Sequence, residues 1–368
     1  LDLPAEPHVR SMLCHKELKG FADESGGDVL VACTQEARLF EEVAAEGGRT
    51  QTIRFVNVRE SAGWSHAPAA TAKIAALLAA AALPEPDPVA SVSYESHGQL
   101  LIAGPLREAL AWARALDTRL GVTVLATTAD AAELPVVRTF PISTGTLTRV
   151  EGWLGAFDVE WQQHNPIDLD ACTRCNACIR SCPEHAIGFD YQVDVDRCRD
   201  HRDCVAACGE VGAIDFARKD TMRKAKFDLV LDLQARRALS GFATPQGYYA
   251  PGPDTAAQAQ VIAELATMTG EFDKPRYFAY KPSICAHERS RQPGCNACID
   301  VCSTRAIRAD GDKVFVEPHL CMGCGACATV CPSGAMSYAY PSVPDLGRRI
   351  RTLLSTYHRA GGKAPALL

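Results

Sequence analysis

The sequence predicts an α/β amino-terminal domain with a mostly parallel sheet over residues 1–160, followed by two small α+β modules that bind metal through cysteine. Two observations predict this. Between Asp28 and Thr127, apolar runs of strand length alternate with stretches of helical period, the pattern of a largely parallel sheet flanked by helices. In addition, 15 of the 17 cysteines fall in two stretches, 170–216 and 284–336.

Asp28–Cys33 (DVLVAC) reads as a strand. Thr34–Glu46 follows as a helix, with Thr34 as N-cap and Gly47-Gly48 as the stop. Thr52–Val58 is a second strand. Pro68–Leu83 is an Ala-rich core helix closed by the Pro-rich linker PEPDP at 84–88. Ser91–Ala103 contains a third strand, best seen in QLLIA. Pro105–Leu120 carries Leu106, Ala109, Leu110, Ala113, Leu116 and Leu120 at helical spacing, and Val122–Thr127 is a further strand. Glu151–Gln162 alternates as strands do, and Asn165-Pro166 marks a turn into the first module, 161–218.

The insert at 219–280 contains a buried strand (Phe227–Leu233), an irregular segment (PQGYYAPGP, 245–253) and a helix (Ala256–Thr269). It is expected to pack the two modules together, with Tyr248 and Tyr249 in loop packing. The second module spans 281–342. Residues 343–368 read as a helix (Asp345–Tyr357) and the start of a further domain, which makes the chain a piece of a longer protein.

A net charge of −6 argues against nucleic acid, which calls for a basic face. The most apolar run, Lys73–Leu83, is shorter than the roughly 20 residues a membrane span needs. No Gly-x-Gly-x-x-Gly or Walker A sequence is present, so nucleotide binding has no support. Cys33, at a strand end, and Cys14, beside His15, read as small core residues.

The remaining cysteines carry the chemistry. Cys172-x2-Cys175-x2-Cys178-x3-Cys182-Pro183 is followed by Cys198, Cys204 and Cys208. Cys285-x9-Cys295-x2-Cys298-x3-Cys302 is followed by Cys321-x2-Cys324-x2-Cys327-x3-Cys331-Pro332. Zinc sites also use Cys-x2-Cys pairs, but normally with longer spacers and four ligands per ion, which these dense runs exceed. Radical S-adenosylmethionine chemistry calls for Cys-x3-Cys-x2-Cys, and no such run occurs. Soft thiolates in tight loops suit iron–sulfur clusters and imply a reducing, cytoplasmic setting.

The runs resemble those of tandem bacterial-type 2[4Fe–4S] ferredoxins, over about a third of the chain, with the α+β ferredoxin-like fold. In that family the fourth Cys of each run ligates the other cluster. The resemblance implies one cluster on Cys172, Cys175, Cys178 and Cys208, and a second on Cys198, Cys204 and Cys182. It implies a third on Cys285, Cys295, Cys298 and Cys331, and a fourth on Cys321, Cys324, Cys327 and Cys302. The second set is one thiolate short. His201 stands in the register of its missing Cys, so that cluster is either His-ligated or a three-cysteine [3Fe–4S] centre, or His201 does not coordinate. Two departures stand out: Gly209 and Ser303 replace the Pro that follows the fourth Cys. Each run is still followed by an apolar pair able to open a strand: Ala186-Ile187, Ala213-Ile214, Ala306-Ile307 and Ala335-Met336. His287 and His319 are expected to face solvent, because the cysteine count leaves them no vacancy.

Through NPIDLDACTRCNACIRSCPEHAI and VEPHLCMGCGACATVCPSGAMSYAYP, the chain also resembles multidomain proteobacterial 4Fe–4S binding proteins linked with formate dehydrogenase, and electron hubs of the heterodisulfide reductase A-like type. That implies a cytoplasmic electron-transfer subunit working with redox partner proteins such as formate dehydrogenase, with no nucleic acid and no membrane span. The expected function is a relay of single electrons through four clusters. The alternatives are an oxidoreductase subunit with its own flavin or metal site, and an iron–sulfur redox sensor.

Overall fold

A computed structural model describes residues 8–22, 27–48, 50–64, 70–128, 132–135, 137–239, 243–288 and 294–366. The chain divides into two compact units, residues 1–88 with 341–368, and residues 89–340. The expected single domain over 1–160 is thus divided at the Pro-rich linker. The reason lies in the pairing: Val29–Val31 and Ile53–Phe55 form a two-stranded parallel sheet of their own.

In the first unit Phe21 and Phe40 meet edge to face at 4.9 Å, packed with Val31 and Ala44. Cys14 and Cys33 are partly buried against this small core. The helix Ala37–Glu46 starts later than expected, and its cap position, Glu36, makes no side-chain cap hydrogen bond. The helix Ala70–Ala81 buries Ala72, Ala75, Ala76 and Ala80, a stripe of small side chains. The helix Val343–Arg359 packs against it. Its N-cap Ser342 accepts a hydrogen bond from Asp345 N–H, which starts it earlier than expected. The two starting residues of the expected helix Pro68–Leu83 lie outside the described residues.

The second unit is built on a seven-stranded sheet. Its order is Tyr248–Tyr249, Leu229–Asp232, Gln99–Pro105, Gly121–Thr128, Ile142–Glu151, Phe157–Gln163, Met222–Phe227. Four of the six pairings are parallel and the last two antiparallel, so the sheet is mixed. The hairpin Ile142–Glu151/Phe157–Gln163 makes the reversal. Its turn carries Gly155 at φ +82, where a side chain would strike the Glu95 carbonyl.

Three of the seven strands come after the first module, so the module is inserted between sheet strands. The insert 219–280 therefore completes the sheet and links it to the second module. Gly270–Pro275 pairs with Ser91–Ser96, and Phe278–Tyr280 pairs with Met336–Tyr338 of the second module. Tyr248 is buried in the sheet and donates to Asp232.

Candidate metal centres

The expected strand openings after each cysteine run are present. Ile187 bridges to Val193 and Ile214 to Ile167, while Ile307 and Met336 begin strands. All four apolar pairs are buried, at 5 % exposure or less. In each module two short helices pack together, Ala177–Ser181 on Asp203–Cys208 and Ala297–Val301 on Ala326–Val330. This brings the end of one run beside the start of the other.

The loops between cysteines share one backbone form. Two and four residues after the leading cysteine, the chain is left-handed: Arg174 and Asn176, Asp200 and Arg202, Gly323 and Gly325. The turn at Gly323 also lies against the Tyr277 ring, where a Cβ would come within 2.8 Å. By this match His201 occupies the backbone position of Cys175 and Cys324. Those two cysteines are exposed, and the His201 side chain is too, at 43 %, with Nε2 4.0 Å from Glu184.

The thiols assemble across the runs. Cys172, Cys175, Cys178 and Cys208 line one pocket with Tyr191, Ala213 and Ile214. Cys182 and Cys198 are the thiols that bear electrostatically on Cys204. Cys285, Cys295 and Cys331 bear on Cys298, and Cys302, Cys321 and Cys324 on Cys327. Burial is the main force on the inner thiols, pushing Cys178 and Cys327 up to about 11, with neighbouring thiols adding to it. Such groups give up their protons only to a cationic centre. All of these cysteines are free thiols. Among the described residues, no three His, Cys, Asp or Glu side chains converge as they would on one metal ion.

The surroundings fit an anionic, sulfur-rich group. Backbone N–H groups already point at sulfur: Arg174 to Cys172, Ala186 to Cys182 and Met336 to Cys331, at 3.3–3.4 Å. Beside the first group, Arg174 Nε and Nη1 are buried donors with no hydrogen-bond partner among the described residues. Arg138 donates to the carbonyls of Asp170 and Cys172 and pins the start of that run.

The fourth group has its own cation, which the sequence pattern did not reveal. Lys274, on the strand Gly270–Pro275, donates to the carbonyls of His319 (2.7 Å) and Cys321 (2.9 Å). Burial pushes its ammonium down to about 8, against the upward pull of Cys321 and Glu317. Tyr94 also donates to the His319 carbonyl.

Neither flanking histidine behaves as expected. His319 stacks on Trp153 at 4.8 Å and pairs with Glu317, so it is a docking side chain between module and sheet. His287 is 1 % exposed, held by the packing of the third group.

Residues 164–209 and 293–335 each match a family model described as a 4Fe-4S dicluster domain. Each module is a 4Fe-4S dicluster domain. The dicluster domains hold iron–sulfur clusters. The chain is similar to a protein named Ferredoxin 7Fe from Hydrogenibacillus schlegelii, 37 % identical over 49 residues, which are 13 % of this chain and 62 % of that protein. It is similar to Hydrogenase-4 component A of Escherichia coli, 39 % identical over 56 residues, 15 % of this chain and 25 % of that one. It is similar to a tetrathionate reductase subunit of Archaeoglobus fulgidus, 24 % identical over 155 residues, 41 % of this chain and 49 % of that one. The chain thus spans less than two thirds of the length of these relatives. No helix among the described residues is long and apolar enough to cross a membrane.

Proposed function

We propose that this chain relays single electrons through four iron–sulfur clusters, two in each dicluster domain, as a subunit of a larger oxidoreductase. The observation that carries the reading is the crossed gathering of thiols. In the first domain Cys172, Cys175 and Cys178 line a pocket with Cys208, and in the second Cys331 bears electrostatically on Cys298 and Cys302 on Cys327. The clusters supply the one-electron chemistry. The protein's part is placement: Cys204 bears electrostatically on Cys178 and both are buried, which supports a short path between the first two groups.

The proposed ligands are Cys172, Cys175, Cys178 and Cys208; Cys182, Cys198 and Cys204, with His201; Cys285, Cys295, Cys298 and Cys331; and Cys302, Cys321, Cys324 and Cys327. His201 has the backbone placement of a ligand and would complete a [4Fe–4S] centre. Without it the same three thiols suit a [3Fe–4S] centre, and one relative is named for seven irons. Membership of a larger enzyme is supported by relatives named as a hydrogenase component and as part of a tetrathionate reductase. The resemblance to formate dehydrogenase-linked proteins makes that enzyme one candidate partner.

Iron and sulfide analysis of anaerobically prepared protein tests the reading. Four clusters give about 16 irons per chain, or about 15 with one [3Fe–4S] centre; fewer than about 14 contradicts it.

A further inference from the structure

We propose that His287 Nε2 is a fifth donor at the third thiol group, able to hold the iron of Cys295 when that thiolate is lost. The inference rests on the four-cluster reading. His287 follows Cys285 by two residues and is 1 % exposed. Its Nδ1 lies 3.2 Å from the carbonyl oxygen of Cys295. A carbonyl only accepts, so Nδ1 carries the hydrogen, and Nε2 of the neutral ring is left with a lone pair. Among the described residues, Nε2 is buried and has no hydrogen-bond partner. The neighbouring carboxylate does not serve it, because Glu288 accepts from Tyr280 at 2.8 Å.

One ring nitrogen fixed by a backbone carbonyl and the other open is how proteins hold an imidazole for a metal. The register agrees. Cys295 is the second ligand of its run, the position that His201 takes in the run Cys198–Cys208. Cys295 is reached only after a nine-residue gap, part of which lies outside the described residues. The imidazole is tied to the main chain of the residue it would replace. In the exchange one Fe–N bond forms where one Fe–S bond is absent or breaks. The iron keeps its oxidation state, and a released thiolate takes its proton from water.

The test uses the full chain, prepared anaerobically with 15N-labelled histidine, as wild type, Cys295→Ala, His287→Ala and the double variant. Iron is counted, and pulsed EPR of the reduced clusters reads histidine nitrogen coupling beyond any that wild type already carries from His201. Cys295→Ala is expected to keep the wild-type iron count and to show a coupling that His287→Ala abolishes, while the double variant loses at least one iron per chain. Equal iron loss in Cys295→Ala and the double variant, with no such coupling, overturns the proposal. Cys295→Gly replaces Cys295→Ala if the latter does not accumulate, with the same outcomes. A wild-type count below about 14 irons breaks the four-cluster reading itself, before any variant is compared.

Discussion

In the cysteine loops of the first dicluster domain the backbone turns left-handed at Arg174, Asn176, Asp200 and Arg202; in the second the matching turns fall at Gly323 and Gly325, and Arg305 is the one non-glycine in that conformation among its described residues. The loop geometry is shared, but its cost is not. A left-handed residue with a side chain costs about 1–2 kcal/mol, and glycine avoids this. The first domain offsets the strain with contacts. Arg202 pairs with Asp200 at 2.7 Å and lies 3.5 Å over the Phe216 ring, and Tyr191 donates to the Arg174 carbonyl. The second domain relies on glycine in one run and, in the other, stretches the first gap to nine residues while keeping the x2 and x3 spacings. Cluster binding therefore has more backbone strain to hold in the first domain than in the second.

Removing the metal breaks the comparison most severely. Stripping iron with an anaerobic chelator should raise amide exchange across 172–208 before it does so across 321–331, measured by hydrogen exchange and mass spectrometry. Simultaneous loss, or the reverse order, would show that glycine does not set the difference. His201→Cys comes next. Thiolate is the stronger donor, so the potential of the second group should fall by on the order of 100 mV in an EPR-monitored titration. An unchanged titration would mean that His201 does not coordinate. The smallest shift is expected for Lys274→Met in the second domain. Losing a buried positive charge should lower the potential of the fourth group by some tens of mV. A potential that stays put, with intact iron content, would leave Lys274 a purely structural tie between Cys321 and the sheet.

Much of the candidate site is legible in the sequence because cluster ligation needs one residue type at short, fixed spacing. The crossed grouping is what the resemblance to 2[4Fe–4S] ferredoxins implies, and the apolar pairs after each run are buried. His287 and Lys274 are not legible. Their roles depend on burial and on hydrogen bonds to the carbonyls of Cys295, His319 and Cys321, and no periodicity encodes these. The strands Gln99–Pro105 and Gly121–Thr128 are visible as apolar runs, since both faces of them are covered. Met222–Phe227 (MRKAKF) is hidden by its charges, as an edge strand with one exposed side is. That hidden strand, with the hairpin before it, is why the sheet is mixed. It is also why the first domain turns out to be inserted within the sheet rather than following it.

The crossing of ligands is the claim on which the relay rests, and two double variants test it in one measurement. Mössbauer spectra of 57Fe-loaded Cys172→Ala/Cys208→Ala and Cys172→Ala/Cys182→Ala report how many clusters each pair disturbs. Crossed ligation predicts one disturbed cluster for the first pair and two for the second. Two for the first pair and one for the second would contradict it.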